Sequence, residues 1–190
     1  MTKKELRKII KEKLSQTITP SVREKESERI CSQIIQSNDF ENAPLILAYA
    51  AMADEVDLRM VIEEALKRKK QAGLPRIIPQ SSLMDFYNVT DSTRLQAEAS
   101  YRIKEPEPLP KNLILPENLP EETLILVPGR AFTLTGERLG RGKGFYDLWL
   151  SKIPPDKKNR VRLYGVCFPQ QIVESIPCDE HDIRMTRIIY

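Results

Sequence analysis

The amino-acid sequence predicts a single α/β domain over residues 1–190, with a mostly parallel sheet between helices. Three observations point there. Two short, continuously apolar runs, LILAYA (45–50) and TLILV (123–127), have the pattern of strands buried on both faces. Between and before them, apolar residues recur at helical spacing. Five of the seven glycines lie between Gly129 and Gly144, directly behind the second run, where open α/β sheets bind ligands.

The elements follow in order. Residues 3–14 read as a helix with Leu6, Ile9, Ile10 and Leu14 on one face and lysines on the other. Thr19-Pro20 supplies an N-cap and a proline at the first helical position of a second helix, which runs to about Gln36 with Val22, Ile30 and Ile34 inward. After the strand at 45–50, Asp54 is placed to cap a helix over 55–70, with Val56, Met60 and Leu66 among its apolar positions and Gly73 ending it. LPRII (74–78) and MDFYNV (84–89) read as strands, completing a βαβ pattern. Residues 98–122 carry five of the 14 prolines and twice as many acids as bases, the composition of an extended surface connection. A strand at 123–127 follows, then the glycine-rich loop. A helix over 144–153 has Phe145, Leu148, Trp149 and Ile153 inward, LYGVCF (163–168) is a further strand, and RIIY closes the chain.

Composition excludes several classes. At 190 residues with 41% hydrophobic and 30% charged side chains, the chain can bury a core without staples. The longest apolar run, Leu45 to Ala53, is less than half of the roughly 20 residues a bilayer span needs, and the N-terminus lacks secretory features, so a cytoplasmic protein without membrane association is expected. Cys31, Cys167 and Cys178 form no CxxC pair and read as reduced thiols, mostly packing. His181 is the only histidine and no GxSxG elbow occurs, which leaves little room for nucleophilic catalysis. Net charge is +3, but residues 1–13 hold six bases and two acids, so the excess is local. A nucleic-acid binder would show a broader basic surplus; a small anionic ligand fits better.

The chemistry concentrates in Arg138-Leu139-Gly140-Arg141-Gly142-Lys143-Gly144-Phe145-Tyr146-Asp147. The segment follows a buried strand and opens a helix, where backbone N–H groups are unpaired. Alternating glycines let the main chain approach a phosphate, and Arg138, Arg141 and Lys143 add fixed positive charge. A basic surface turn is the plainer alternative. Lys143 is followed by Gly144, so this is no Walker loop, and G-x-G-x-G is not the dinucleotide fingerprint. Asp147 admits two roles: an acid complementing the helix dipole, or a Mg²⁺ ligand beside substrate phosphates.

Pro128-Gly129-x-Ala131-Phe132 followed by Gly136-x-Arg138-Leu139-Gly140-Arg141-Gly142-x-Gly144-Phe145-Tyr146-Asp147 resembles the signature of the 5-formyltetrahydrofolate cyclo-ligase family. Lys3-x-x-x-Arg7, Asp54-Glu55-Val56-Asp57, Leu74-Pro75-Arg76, Met84-x-Phe86, Ile103-x-Glu105-Pro106 and His181-Asp182 resemble further family elements in the same order. The resemblance implies a three-layer α/β/α sandwich similar to the sugar-phosphate isomerase and CoA-transferase superfamily. It also implies conversion of 5-formyltetrahydrofolate to 5,10-methenyltetrahydrofolate, with ATP as co-substrate, Mg²⁺ as cofactor, and ADP and phosphate as products. ATP would meet Lys3, Lys4, Glu5, Leu6 and Arg7 and the loop residues Arg138, Leu139, Gly140, Arg141, Gly142, Lys143, Gly144, Phe145 and Tyr146. The folate would meet Glu55 and the loop from Arg141 to Phe145. Arg141, Lys143 and Tyr146 would act in catalysis, Asp147 and Asp182 would hold the metal, and a monomer is expected.

Plainer roles stand beside these. Lys3 and Arg7, four residues apart, also suit the solvated face of a helix, Glu55 suits a first helical turn, and Asp182 suits a loop cap. Trp149 reads as core and His181 as structural. Arg130, Thr133, Arg102 and Thr186 depart from the family pattern at positions where a small or apolar residue, Asp, Gly and an acid are common. The rival readings are another phosphate-handling enzyme on a similar scaffold, such as a sugar-phosphate isomerase; a catalytically impaired folate- or anion-binding member; and a non-enzymatic RNA- or anion-binding module.

Overall fold

Two threonines start the first two helices. In the computed structural model, which describes residues 1–78, 80–81, 83–89, 106 and 108–190, Thr2 and Glu5 form a reciprocal capping box at α1 (Lys3–Thr17). The Thr19 hydroxyl accepts from the Val22 N–H at α2 (Pro20–Ile35), with proline at its first position. Leu6, Ile10 and Leu14 bury the inner stripe of α1, whereas Ile9 is half exposed, just outside the stripe. Ile30 and Ile34 of α2 are buried as expected. A short α3 (Asn38–Asn42), capped by Ser37, leads into β1 (Leu45–Leu47), half the length of the apolar run.

The segment after β1 differs from expectation. No helix begins at Asp54. Residues 55–58 are irregular, and α4 (Arg59–Lys67) starts behind Leu58 with no side-chain cap. Its buried stripe is Val61, Ile62 and Ala65, while Met60 faces outward. The helix ends through Lys69 in a left-handed conformation, and Gly73 lies inside β2 (Gln71–Ile77) instead. A Cβ at Gly73 would stand 2.6 Å from Ile114 and 2.7 Å from Leu47, so close packing of the sheet explains that glycine.

The remaining elements are β3 (Met84–Asn88), β4 (Leu113–Ile114) between two 3-10 turns, β5 (Leu124–Pro128), and the small hairpin of β6 (Ala131–Phe132) and β7 (Arg138–Leu139). Then come α5 (Phe145–Ser151), α6 (Pro155–Lys158), β8 (Arg162–Val166) and β9 (Arg187–Ile189). The main sheet has the order β4-β3-β2-β1-β5-β8-β9. β2, β1, β5, β8 and β9 are mutually parallel; β3 and β4 add an antiparallel edge. The connection predicted over 98–122 thus contains a strand, and its part before Leu109, apart from Pro106 and Pro108, lies outside the described residues together with Ile103, Glu105 and Arg102.

Both faces of the sheet are covered, which gives the α/β sandwich its layers. Ile46, Leu124 and Leu126 face a core that includes Leu6, Ile10 and Leu14 of α1, Ile30 and Ile34 of α2, and Val61 and Ile62 of α4. Their strand neighbours Leu45, Leu47, Ile125 and Val127 face a second core with Trp149 and Leu150 of α5. Trp149 meets Phe86 edge-on at 4.7 Å, the core role expected of it. Leu148, expected inward, is 45% exposed because seven residues of helix present only Trp149 and Leu150 fully to the sheet. Among the described residues no helix is long and apolar enough to cross a membrane.

Candidate functional site

In the sheet, β1 lies between β2 and β5. The chain leaves β1 through α4 toward β2 on one side, whereas β5 lies on the other. Loops following two such strands diverge and leave a crevice at their carboxyl ends. The residues after β1 (48–58) and those after β5 (129–144) are these two loops, and they carry the predicted site.

Arg141 joins them. Its Nε and Nη2 donate to Glu55 Oε1 at 2.9 and 2.8 Å, and Nη2 also donates to Asp54 Oδ1 at 2.5 Å. Glu55 is almost wholly buried, and its second oxygen accepts from the Met52 N–H at 2.9 Å. Asp54 Oδ2 accepts from Arg130 Nη1. Burial alone would raise the Asp54 carboxyl, but the bonds from Arg141 and Arg130 outweigh it and hold it below the usual carboxylate range. Burial would likewise depress Arg141, and the charges of Glu55 and Asp54 more than compensate.

The loop itself is fastened from below. Arg7 Nε donates to the Gly140 carbonyl at 2.8 Å. Arg138 is buried; its Nη2 donates to Asp147 Oδ2 at 2.7 Å, its Nη1 to the Pro128 carbonyl at 3.2 Å, and its guanidinium lies 5.7 Å from the Tyr146 ring centre. Two glycines are required by their backbone: Gly142 has φ 103° with the Arg7 guanidinium beneath it, and Gly144 has φ 70° where it opens α5. Lys143 is exposed at the tip.

The chain's other end closes in from the side. Lys3 Nζ donates to Asp179 Oδ2 at 2.7 Å and to Asp182 Oδ2 at 2.6 Å, and the Asp179 N–H donates to Asp182 at 2.8 Å. Burial would raise Asp182, but these bonds hold it low. The Ile183 N–H contacts Asp147 Oδ1 at 3.4 Å, so the two predicted metal carboxylates sit on neighbouring segments. Their chemistry fits Mg²⁺, which takes hard oxygen donors and typically one or two carboxylates, leaving the remaining positions to phosphate and water. Among the described residues there is no cluster of three or more His, Cys, Asp or Glu side chains suited to a metal.

Of the N-terminal residues, Lys3 and Arg7 therefore reach this end of the molecule. Lys4 faces solvent, the Glu5 carboxylate is used in the capping box, and the Leu6 side chain is core. Glu55 meets the loop through Arg141, and Asp182 lies beside Ile183, whose N–H contacts Asp147. Three residues escape the sequence reading. Asp54 reads there as a helix cap and Arg130 as a departure, yet together they extend the ion-pair chain. Tyr49, just beyond β1, is buried with an unpartnered hydroxyl, as is that of Tyr146. Burial, reinforced by the negative charge of Glu55, raises both phenols well above their ordinary range. Two adjacent acids directly behind the apolar run 45–53 are a signal that could have singled out Asp54.

A protein-family model described as the 5-formyltetrahydrofolate cyclo-ligase family matches residues 1–190. The mouse protein named 5-formyltetrahydrofolate cyclo-ligase is 30% identical over 99% of this chain and 93% of its own length. A Caenorhabditis elegans protein named probable 5-formyltetrahydrofolate cyclo-ligase is 32% identical over 99% and 92%. The NMR structure of 5,10-methenyltetrahydrofolate synthetase from Aquifex aeolicus superposes with a TM-score of 0.77 at 30% identity, covering 100% of this chain and 89% of that one. With a match from end to end and relatives aligned over nearly their full length, the chain belongs to the 5-formyltetrahydrofolate cyclo-ligase family.

Proposed function

We propose that the chain closes 5-formyltetrahydrofolate to 5,10-methenyltetrahydrofolate at the expense of ATP, in the crevice between the β1 and β5 loops. The observation that carries this reading is the contact between Arg141 and Glu55. The cation of the glycine-rich loop and the acid assigned to the pterin adjoin, so a bound triphosphate and a bound folate would meet.

The chemistry asks for little beyond positioning and charge. The formyl oxygen is a poor leaving group. Transfer of the γ-phosphoryl group to it, with ADP departing, gives an imidate phosphate. N10 then attacks the formyl carbon and gives up its proton to the departing phosphate or to water, the C–O bond breaks and phosphate leaves. The exposed glycine-rich backbone lets the loop close on the phosphates, and Arg141 and Lys143 offset charge on the group in transit. Buried Glu55 would accept N–H donors of the pterin, and the buried, unpartnered Tyr146 hydroxyl would offer a hydrogen bond once the folate is in place. Asp147 and Asp182 would hold Mg²⁺, which when bound neutralises phosphate charge. Arg138 keeps the Asp147 carboxylate in place.

Mixing the protein with Mg-ATP and 5-formyltetrahydrofolate should produce the absorbance of methenyltetrahydrofolate, with ADP released in equal amount. Chelating divalent cations should stop both. ADP release that ignores the folate, or no turnover at all, would overturn the reading, the latter in favour of an impaired binding member.

A further inference from the structure

We infer that the chain of ion pairs Arg130–Asp54–Arg141–Glu55 is a latch that couples binding of the two substrates, with Asp54 and Arg130 as its positioning residues. The inference rests on the proposed function and adds to it a role for two residues that the family pattern left unassigned. Arg141 spends its Nε–Nη2 edge on Glu55 and Asp54 together. A phosphate approaching that edge has to draw it away from both acids. A pterin that takes Glu55 through Oε1 has to displace the same guanidinium, since Arg141 Nε and Nη2 both donate to that oxygen while the Met52 N–H holds Oε2. Whichever ligand binds first bears the cost of breaking these contacts, and the second finds them already broken. Such a shared cost is positive coupling, and it is reciprocal: each ligand must tighten the other by one common factor.

Arg130 sets the size of that cost. It holds the other oxygen of Asp54, with only 13% of its own side chain exposed. When Arg141 leaves, Asp54 keeps a partner, so the half-buried carboxylate is not stranded. The two positioning residues therefore act in opposite directions. Asp54→Asn loosens the latch: either ligand alone should bind more tightly and the coupling factor should shrink. Arg130→Leu leaves Arg141 as the main partner of Asp54: either ligand alone should bind more weakly and the factor should grow.

The test is calorimetric titration of the full chain with a non-hydrolysable ATP analogue and Mg²⁺, with and without saturating 5-formyltetrahydrofolate, and the converse titration. In the unmodified protein each ligand should tighten the other about 10-fold, by the same factor in both directions. Asp54→Asn should reduce the factor to about 3-fold or less, and Arg130→Leu should raise it severalfold, with unfolding midpoints confirming the fold. Should Asp54→Asn fail to fold, the opposite shift in Arg130→Leu reads the same latch. A factor near unity while both ligands bind would overturn the latch and leave the proposed function standing. A factor that both variants leave unchanged would arise from contact between the ligands and would also overturn it. Failure of either ligand to bind would remove the proposed function itself.

Discussion

Arg138 and Arg141 stand three residues apart on the same loop and live in opposite surroundings. Arg138 belongs to β7; its side chain is 5% exposed and bonded to the end of β5, to Asp147 in α5 and, through its face, to Tyr146. Arg141 has 31% of its side chain exposed, and its acidic partners come from a different loop. One guanidinium ties together the strand, hairpin and helix that shape the loop. The other bridges a crevice and can leave its partners without dismantling an element. The contrast separates a cation that builds the loop from one that is free to act in the proposed site, although both carry the same charge and the same signature.

Arg141→Ala is the sharpest way to break that contrast, and it carries the largest expected effect. Removing a donor aimed at charge that develops in the transition state typically costs on the order of 10²–10³-fold in turnover. Steady-state kinetics should show a loss of that size, with a stability loss of about 2 kcal/mol beside it, because the buried Glu55 carboxylate loses the partner of Oε1 while Oε2 keeps the Met52 N–H and Asp54 keeps Arg130. Near-normal turnover would mean Arg141 is merely a bridge between loops. Arg138→Ala should add a larger stability loss to whatever it does to turnover through Asp147. It strands Asp147 and loosens β7 from α5, with an expected cost of about 3 kcal/mol. For a chain of this size that is a fall in unfolding midpoint of roughly 10 °C, readable by calorimetry. An Arg138 variant as stable as the parent would erase the distinction.

Tyr146→Phe tests the ground between them at smaller amplitude. The phenol hydroxyl is buried and unpartnered, so its loss should leave stability unchanged or slightly raised. If the hydroxyl meets the folate, KM for 5-formyltetrahydrofolate should rise about 10-fold, and KM for ATP should hardly move, as expected for one lost hydrogen bond. Equal changes in both constants would place Tyr146 with Arg138 as part of the scaffold.

How legible these roles are in the sequence depends on how local their causes are. Thr19 and Pro20 start a helix through contacts within four residues, and the periodicity of α1 and α2 is visible without any partner. Leu45–Leu47 and Leu124–Pro128 announce themselves because burial on both faces leaves no polar alternation. The glycine-rich loop is legible for the same reason: its positive φ angles are a local need. Asp54 is misread because N-capping is a local rule, and here a tertiary partner wins; Arg141, 87 residues away, and Arg130 claim both oxygens. Gly73 is misread in the same way, since what demands a glycine there is Ile114 and Leu47 from other strands. The distinction between Arg138 and Arg141 is likewise tertiary. Only the packing of β7 on β5 and α5 buries one and exposes the other.

The thiols extend the comparison of buried and exposed copies of one residue type to chemistry outside the crevice. Cys31 is enclosed under α4, where its Sγ–H donates to the Asp57 carbonyl at 3.1 Å, and burial pushes its thiol up to about 12. Burial raises Cys167 as well, whereas Cys178 is exposed. A disulfide-exchange reagent should therefore react with one thiol in the native protein and with all three after denaturation. The pH dependence has a definite sign. A thiol whose native pKa is raised keeps its proton in the folded chain while the unfolded chain ionises from about pH 9. Stability is thus fully present below that pH and is lost as pH rises toward 12, at about 1.4 kcal/mol per pH unit for each such thiol. Measured by urea unfolding between pH 9 and 10, the slope should be shallower by about that amount in Cys31→Ala than in the parent, whatever the variant's absolute stability. Parallel slopes would show that Cys31 ionises as readily in the fold as in the open chain, and that its enclosure under α4 is not maintained in solution.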